Sequence, residues 1–463
     1  MHNELDDMIN VNNSHTHVLP PVQEANRLLA LLKSQSSLEL TGRVEKAVGT
    51  LIESSGPMAA VGDLCLIASG DGKQLPAEVV GFRGRSLLLM PLDKLEGITP
   101  GSPVSLARNA LEFGFTRELV GRVLDGLGNP LDDKPMPRPE VMVPFDREAP
   151  SALSRPAIHE VFHTGVRALD GLLTFGVGQR IGVFAGSGVG KSTLMGMLAR
   201  GSQADINVIG LIGERGREVG EFVRDQLGEE GLKRSVVVAA TSDRSPMERI
   251  KGALLATAIA EGFRDQGLDV CLMMDSVTRV AMAQREVGLS VGEPPTSRGY
   301  TPSVFTVLPR LLERTGPAPS GSITAIYTVL VEGDDMNDPI ADTVRGILDG
   351  HVVLSRKLAH RNHFPAIDIL QSVSRVMPAI ASQEQLVWAT EFRENLANLR
   401  EAKELQALGG YRPGSSQDLD SALSRETNIL GYLKQNEPQL GTEQNIINQL
   451  KKALETTHET EPG

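Results

Sequence analysis

The octapeptide Gly186-Ser-Gly-Val-Gly-Lys-Ser-Thr193 stands between the apolar run Ile181-Gly-Val-Phe184 and a helix-like stretch over residues 194–200. A strand, a glycine-rich turn and a helix in that order describe a loop wrapped around phosphate. Glycines let consecutive N–H groups turn inward, and the helix start adds more donors. Lys191 brings a mobile positive charge to the β and γ phosphates, and Ser192 offers a hydroxyl to Mg²⁺. Gly186, Ser187, Gly188, Val189, Gly190, Lys191, Ser192 and Thr193 are therefore the expected nucleoside-triphosphate-binding residues. The first glycine of G-x-x-x-x-G-K-[ST] falls on Ala185, which leaves Gly186 and Gly188 to supply the turn.

A chain of 463 residues is too long for one hydrophobic core, so two or three domains are expected. Its formal net charge of −12, with no Lys/Arg run, argues against a general nucleic-acid coat or a binder of anionic membranes. Cys65 and Cys271 each sit in an apolar stretch and read as core thiols in a reducing cytosol, not as a disulfide or metal site. No apolar run of about 18 residues is present and the N-terminus is acidic, which points to a cytosolic chain whose membrane role comes through partners.

Residues 1–20 are polar and turn-rich, and disorder is expected there. Over residues 22–33, Leu28, Leu29, Leu31 and Leu32 mark one side of a short amphipathic helix, suited to docking a partner or to packing on the chain's own barrel. Glycine-punctuated aliphatic runs follow over residues 38–106, and their spacing predicts a small β-barrel. A turn-dense stretch at 121–130 leads into a proline-rich linker that ends near Pro156.

Strands at 181–184, 208–212, 236–240, 268–274 and 323–330 then alternate with helical patterns such as 248–264, which means a parallel sheet flanked by helices. Strand signals stop near residue 381, and 383–408 and 419–454 look helical. The expected division is 1–37 for the start and amphipathic helix, 38–108 for the barrel, 109–380 for a linker and nucleotide-binding domain, and 381–463 for a helical domain.

Three further groups carry chemistry. Asp275 ends the apolar strand at 268–275, at the carboxyl edge of the sheet, where it can support the Mg²⁺ shell. Gly213-Glu-Arg-Gly-Arg-Glu218 follows the strand at 208–212 and emerges at the same edge. Glu214 is thus a candidate to orient or deprotonate the attacking water, and Glu218, four residues on, could help hold water on Mg²⁺. Negative charge builds up during phosphoryl transfer, so an arginine finger is also sought. Arg375, after a strand-like run at 366–370, is placed to serve a neighbouring subunit.

The strings that carry this chemistry resemble the rotary ATP synthase α/β family. The likeness rests on the phosphate loop, on Gly213-Glu-Arg-Gly-Arg-Glu218, on Pro294-Pro-Thr-Ser-Arg-Gly-Tyr-Thr-Pro-Ser303 and above all on Pro365-Ala-Ile-Asp-Ile-Leu-Gln-Ser-Val-Ser374, which fits the family's signature pattern. It covers nearly the whole chain from residue 38 and implies an α/β fold, a RecA-like P-loop ATPase core with an N-terminal β-barrel and a C-terminal helical domain. Several stretches look like the export ATPases of flagella and injectisomes: Asp170-Gly-Leu-Leu173, Met282-Ala-Gln-Arg-Glu286, Glu332-Gly-Asp-Asp-Met336 and Leu348-Asp-Gly-His-Val-Val-Leu-Ser355. That branch also shares Ala185. Met274-Asp-Ser-Val-Thr-Arg-Val-Ala-Met-Ala-Gln284 and Asp338-Pro-Ile-Ala-Asp-Thr-Val-Arg-Gly-Ile-Leu348 look more flagellar than virulence-type.

The resemblance implies that Lys191 and Ser192 bind ATP phosphates and Mg²⁺, that Glu214 polarises water, that Arg215 senses the γ-phosphate, that Asp275 supports Mg²⁺ and that Arg375 acts in trans. It further implies a homohexamer, a dimeric regulator bound near residues 22–33, and a central stalk protein, an export gate and substrate–chaperone complexes as partners. The implied activity is Mg²⁺-dependent ATP hydrolysis that energises type III export for flagellar assembly, in the cytoplasm at the periphery of the inner membrane. No family counterpart is expected for residues 1–20 or for the tail after Asn436. The alternatives are an injectisome ATPase and a RecA-like hexameric nucleic-acid translocase; the latter is opposed by the acidic charge and by a barrel without basic and aromatic clusters. A non-catalytic ring subunit would have no need of Lys191, Glu214 and Asp275 together.

Overall fold

The computed structural model describes residues 41–70, 72–107 and 111–455; the expected helix at 22–33 and the disorder expected at 1–20 lie outside them. Six antiparallel strands, β1 (Gly42–Val48), β2 (Leu51–Ser54), β3 (Leu64–Ala68), β4 (Gln74–Arg83), β5 (Ser86–Pro91) and β6 (Pro103–Leu106), close a barrel in the order β1-β2-β5-β4-β3-β6. The interior of so small a barrel is filled by alternate side chains, here Val44, Ile52, Cys65, Ile67, Ala77, Val79, Leu87, Leu89 and Val104. Outward-facing Leu51, Leu88, Met90 and Leu92 pack on Met247, Ile250, Ala283 and Val287, and Lys251 pairs with Glu78 across the same junction. That packing fixes the barrel on the next domain.

The central sheet contains β7 (Val123–Asp125), β8 (Arg180–Ala185), β9 (Ile206–Ile212), β10 (Ser235–Ala240), β11 (Asp269–Asp275), β12 (Ser322–Leu330), β13 (Gly350–Leu354) and β14 (Val373–Ser374), in the order β14-β13-β8-β12-β11-β9-β10-β7. All are parallel except β14, with the two-residue strand Gly316–Pro317 also antiparallel to β12. Near-continuous apolar sequence in β8 to β12 reflects burial on both faces, since crossover helices cover each side. Helix Pro246–Arg264 starts on the Ser245 cap with proline in its first turn, and helix Val277–Val291 starts on the Ser276 cap and stops at Gly292 in a left-handed conformation.

Three details depart from the expectations. The turn-dense stretch at 121–130 contributes β7 to the sheet edge, where Val123, Leu124 and Asp125 lie beside Val237, Val238 and Ala239. The strand expected at 366–370 is a bridge from Ile367 to Leu354 followed by a tight turn, Ile369–Gln371, because Asp368 bonds the Leu370 N–H and pairs with Arg400. The C-terminal helix pattern at 419–454 breaks into Gln417–Ser424, Glu426–Leu433 and Glu443–Ala453; Pro438 and Gly441 fall in the gap, and proline lacks the N–H that a helix needs. These helices pack with Gln383–Ala407 against the core under the sheet. Cys65 and Cys271 are both buried and free. No helix among the described residues is long and apolar enough to cross a membrane.

Candidate active site

The phosphate loop leaves β8 at Ala185 and regains regular structure at Lys191, the first residue of helix Lys191–Gly201. Ala185 is still in the strand, paired beside Leu330 and Leu354, so its extended backbone accepts a methyl group where the usual pattern has glycine. Gly188 and Gly190 have φ of 75° and 88°, a region that side chains disfavour, and they turn the chain into the helix. The first-turn N–H groups of that helix have no carbonyl one turn back, and with the dipole they form a seat for phosphate oxygens. Ser192 and Thr193 are exposed on this turn.

The strand order brings the charged side chains to the loop. Lys191 Nζ lies 2.5 Å from Asp275 Oδ1 at the end of β11 and 3.5 Å from Glu214 Oε1 in the turn after β9. Thr328, on the intervening β12, donates its hydroxyl to the same Asp275 oxygen at 2.7 Å. The three charged side chains are 13 %, 15 % and 6 % exposed for Lys191, Glu214 and Asp275, so their interactions are little screened. Burial works against the Lys191 charge, but the Asp275 and Glu214 carboxylates outweigh it and raise the lysine's pKa. Burial, and then repulsion from Asp275, raise the pKa of Glu214, while Lys191 opposes them.

Glu218, on the short helix Gly216–Glu221, reaches back to the Glu214 carboxyl. Arg215 is not brought to the lysine: its side chain is 78 % exposed and pairs with Glu218 at 3.4 Å. Arg375 is also apart from the cluster. Its N–H donates to Asp349 O at 3.0 Å, just before β13 begins, whereas Leu354 at the other end of β13 flanks Ala185. Five residues of strand therefore separate Arg375 from its own chain's loop, about 16 Å at the usual rise. The side chain is exposed at the sheet edge.

Two further residues at the site escape sequence reasoning. Arg279 packs against Gly213, where an added Cβ would stand 2.7 Å from the arginine's own Cβ; its charge lowers the Glu214 pKa, and its Nε is buried without a hydrogen-bond partner. An arginine four residues after Asp275 has no local signature. Phe364 is 37 % exposed and its ring sits against Gly190, 3.2 Å from where a Cβ would be. A lone phenylalanine after His360-Arg-Asn-His363 carries no sign of a nucleotide contact, and only the fold marks it as facing the loop.

The donor set suits Mg²⁺. Ser192 on the first helix turn, Asp275 beside Lys191 and Glu218 against Glu214 all offer hard oxygens, and no group of three or more His, Cys, Asp or Glu among the described residues forms a dedicated metal cage. This matches an ion that keeps waters and relies on substrate phosphates for part of its shell.

Comparison with known proteins agrees with this three-part architecture. Residues 44–106 match the β-barrel domain of the ATP synthase alpha/beta family, residues 165–374 match its nucleotide-binding domain, and residues 381–452 match the T3SS EscN ATPase C-terminal domain, so residues 437–452, expected to lack a family counterpart, have one. The chain is 53 % identical to the flagellum-specific ATP synthase of Bacillus subtilis over 410 residues, 88 % of this chain and 94 % of that one. It is 51 % identical to the type 3 secretion system ATPase of Xanthomonas euvesicatoria over 407 residues, 88 % and 92 % of the two chains. The assembled ATPase EscN of enteropathogenic E. coli, solved in complex with its central stalk EscO, superposes with a TM-score of 0.82 at 44 % identity, covering 89 % of this chain and all of that one. The chain therefore belongs to the flagellum-specific and type 3 secretion ATPases of the ATP synthase alpha/beta family and is an ATP-hydrolysing enzyme.

Proposed function

We propose that the chain hydrolyses Mg·ATP at this site to energise type III protein export in flagellar assembly. The observation that carries the reading is Lys191, held between Asp275 and Glu214 at the mouth of a loop built to seat phosphate. The N–H groups of residues 186–193 and the Lys191 ammonium bind the β and γ phosphates, and the exposed face of Phe364 stacks on the base. Ser192 and Asp275, with a water hung from Glu218, would hold Mg²⁺, whose charge draws electron density from the phosphates when bound. Glu214 accepts a proton from the attacking water as its oxygen bonds to the γ-phosphorus and the bond to the bridging oxygen breaks, which releases ADP and phosphate. Its raised pKa brings the base closer to neutral pH.

Arg375 completes the site from a neighbouring subunit, a reading supported by its exposure and its distance from its own chain's loop. A ring of identical chains then places every active site at an interface, and the homohexamer is the form proposed. The assembled EscN in complex with its central stalk EscO supports a central stalk protein as a partner, and the C-terminal domain is the contact proposed for it. The divisions at 38–108, 109–380 and 381–463 are the units that carry these roles, with a regulator dimer at residues 22–33, substrate–chaperone complexes and the export gate as further partners. The place of action is the cytoplasmic face of the inner membrane.

Mg²⁺-dependent phosphate release by the purified chain tests the chemistry. In cells, Glu214→Gln should stop flagellar structural proteins from reaching the medium. Unchanged flagellar export with loss of a different secreted set would assign the chain to an injectisome, and an absence of phosphate release would refute the catalytic reading.

A further inference from the structure

Between helices Glu426–Leu433 and Glu443–Ala453 the chain crosses the nucleotide-binding domain as a non-helical strap over residues 434–442. Gln435 is the residue that fastens it. Its side-chain oxygen accepts the Arg167 N–H at 2.9 Å, and its amide donates to Gly165 O at 2.8 Å and to Glu437 O at 2.7 Å. Its backbone N–H donates to the carbonyl of Phe364 at 3.0 Å. Neighbouring groups hold the same strap: Glu437 pairs at 3.1 Å with Arg200, in the last turn of the phosphate-loop helix, and Pro438 lies against Gly201.

Nothing in the catalytic cluster needs this segment, yet it touches the site at two places, the far end of the phosphate-loop helix and the backbone of Phe364. We propose that Gln435 is a positioning residue: by pinning the strap to Gly165 and Arg167 it holds the Phe364 ring against the phosphate loop, so that nucleotide affinity depends on how the C-terminal domain is seated. The proposal rests on the nucleotide reading above, because Phe364 matters only if a base stacks on it. Phosphate binding and hydrolysis use other groups, so loosening the strap weakens nucleotide retention and leaves the chemical step alone.

The test is Gln435→Leu in the full chain, read by steady-state hydrolysis and by dissociation of ribose-labelled ADP, which leaves the base free. The expected result is a roughly fivefold rise in both KM for ATP and the dissociation rate, the size of about one net hydrogen bond, with kcat within about twofold. Should the leucine variant melt early, Gln435→Glu carries the same measurement, since it keeps the acceptor for the Arg167 N–H and loses both donations. In a Phe364→Ala background, which itself raises KM, Gln435→Leu should add nothing, because residues that act through one contact are not additive. Full additivity, or a fall in kcat with KM unchanged, overturns the role of Gln435 and leaves the stacking role of Phe364 standing. If Phe364→Ala leaves labelled-ADP binding unchanged, the stacking reading falls and the proposal falls with it.

Discussion

The ammonium of Lys191 stands 2.5 Å from the Asp275 carboxylate, with Glu214 3.5 Å away on its other side. Burial and the Asp275 charge raise the cost of ionising Glu214, and the lysine opposes them. The phosphate-binding cation thus also favours the charged form of the candidate base.

Lys191→Ala should therefore do two things. Hydrolysis should fall by at least about a hundredfold, with much weaker ATP binding, because the charge gathered on the phosphates loses its main protein counterion. The variant should also lose stability at pH 8 more than at pH 5. With the lysine gone nothing on that side opposes burial and the Asp275 charge, which already raise the Glu214 pKa above its unfolded value, and the penalty of ionising Glu214 grows as pH rises past the ordinary carboxylate range. Melting at both pH values checks this, and an equal deficit at both would contradict it.

Glu214→Gln should keep Mg·ATP binding and lower turnover by about 10²-fold or more, the scale of a lost general base. In the unaltered chain the rate should decline on acidification at a pH above the usual glutamate range, since burial and the Asp275 charge both favour the protonated acid. Parallel loss of binding and turnover in the variant would make Glu214 structural, and Glu218 would be tested next.

Arg375→Ala should bind ATP and form rings while losing about 10³-fold in turnover, the lower end of what arginine fingers supply. Mixed rings with the Glu214→Gln chain should regain part of the activity, because some interfaces pair an intact Glu214 with an intact Arg375. Mixed rings without any rescue would remove Arg375 from the trans role.

Glu248 gives a prediction independent of the nucleotide. It lies buried at the start of helix Pro246–Arg264, close to the barrel junction, with Oε1 unpartnered and Arg244 3.8 Å away; burial pushes its pKa up to about 7. A carboxyl that holds its proton more tightly when folded than when unfolded costs nothing below its unfolded pKa. It costs progressively more as pH rises toward about 7, and the cost is constant above. Glu248→Gln should thus raise the urea midpoint at pH 8 and leave it nearly unchanged at pH 4.5, as paired denaturation curves will read.

Much of this molecule is legible in the residues because its signals are local. The phosphate loop needs only a strand, a turn with Gly188 and Gly190 at positive φ, and a helix start, all within neighbouring residues. Asp275 and Glu214 are readable as strand ends, since every parallel strand delivers its last residues to the same edge. The barrel is readable from alternation and glycine spacing. The sheet-edge strand β7 is not, because three residues in a turn-rich stretch become a strand only by pairing with β10.

By itself the sequence determined which chemistry is present: a phosphate seat, a lysine, two acids and an arginine on a separate segment. Only the tertiary structure decided the distances among them. The order β8-β12-β11-β9 lays Asp275 and Glu214 beside Lys191 with Thr328 between, and it leaves Arg215 in solvent and Arg375 at the opposite end of the sheet. It also brought Arg279 and Phe364 to the site and set Gln435 behind Phe364, none of them assigned a role by the sequence. Periodicity records which face of an element is buried, but which elements become neighbours is settled by crossover packing between segments as far apart in sequence as residues 191 and 435, and no local pattern carries that information.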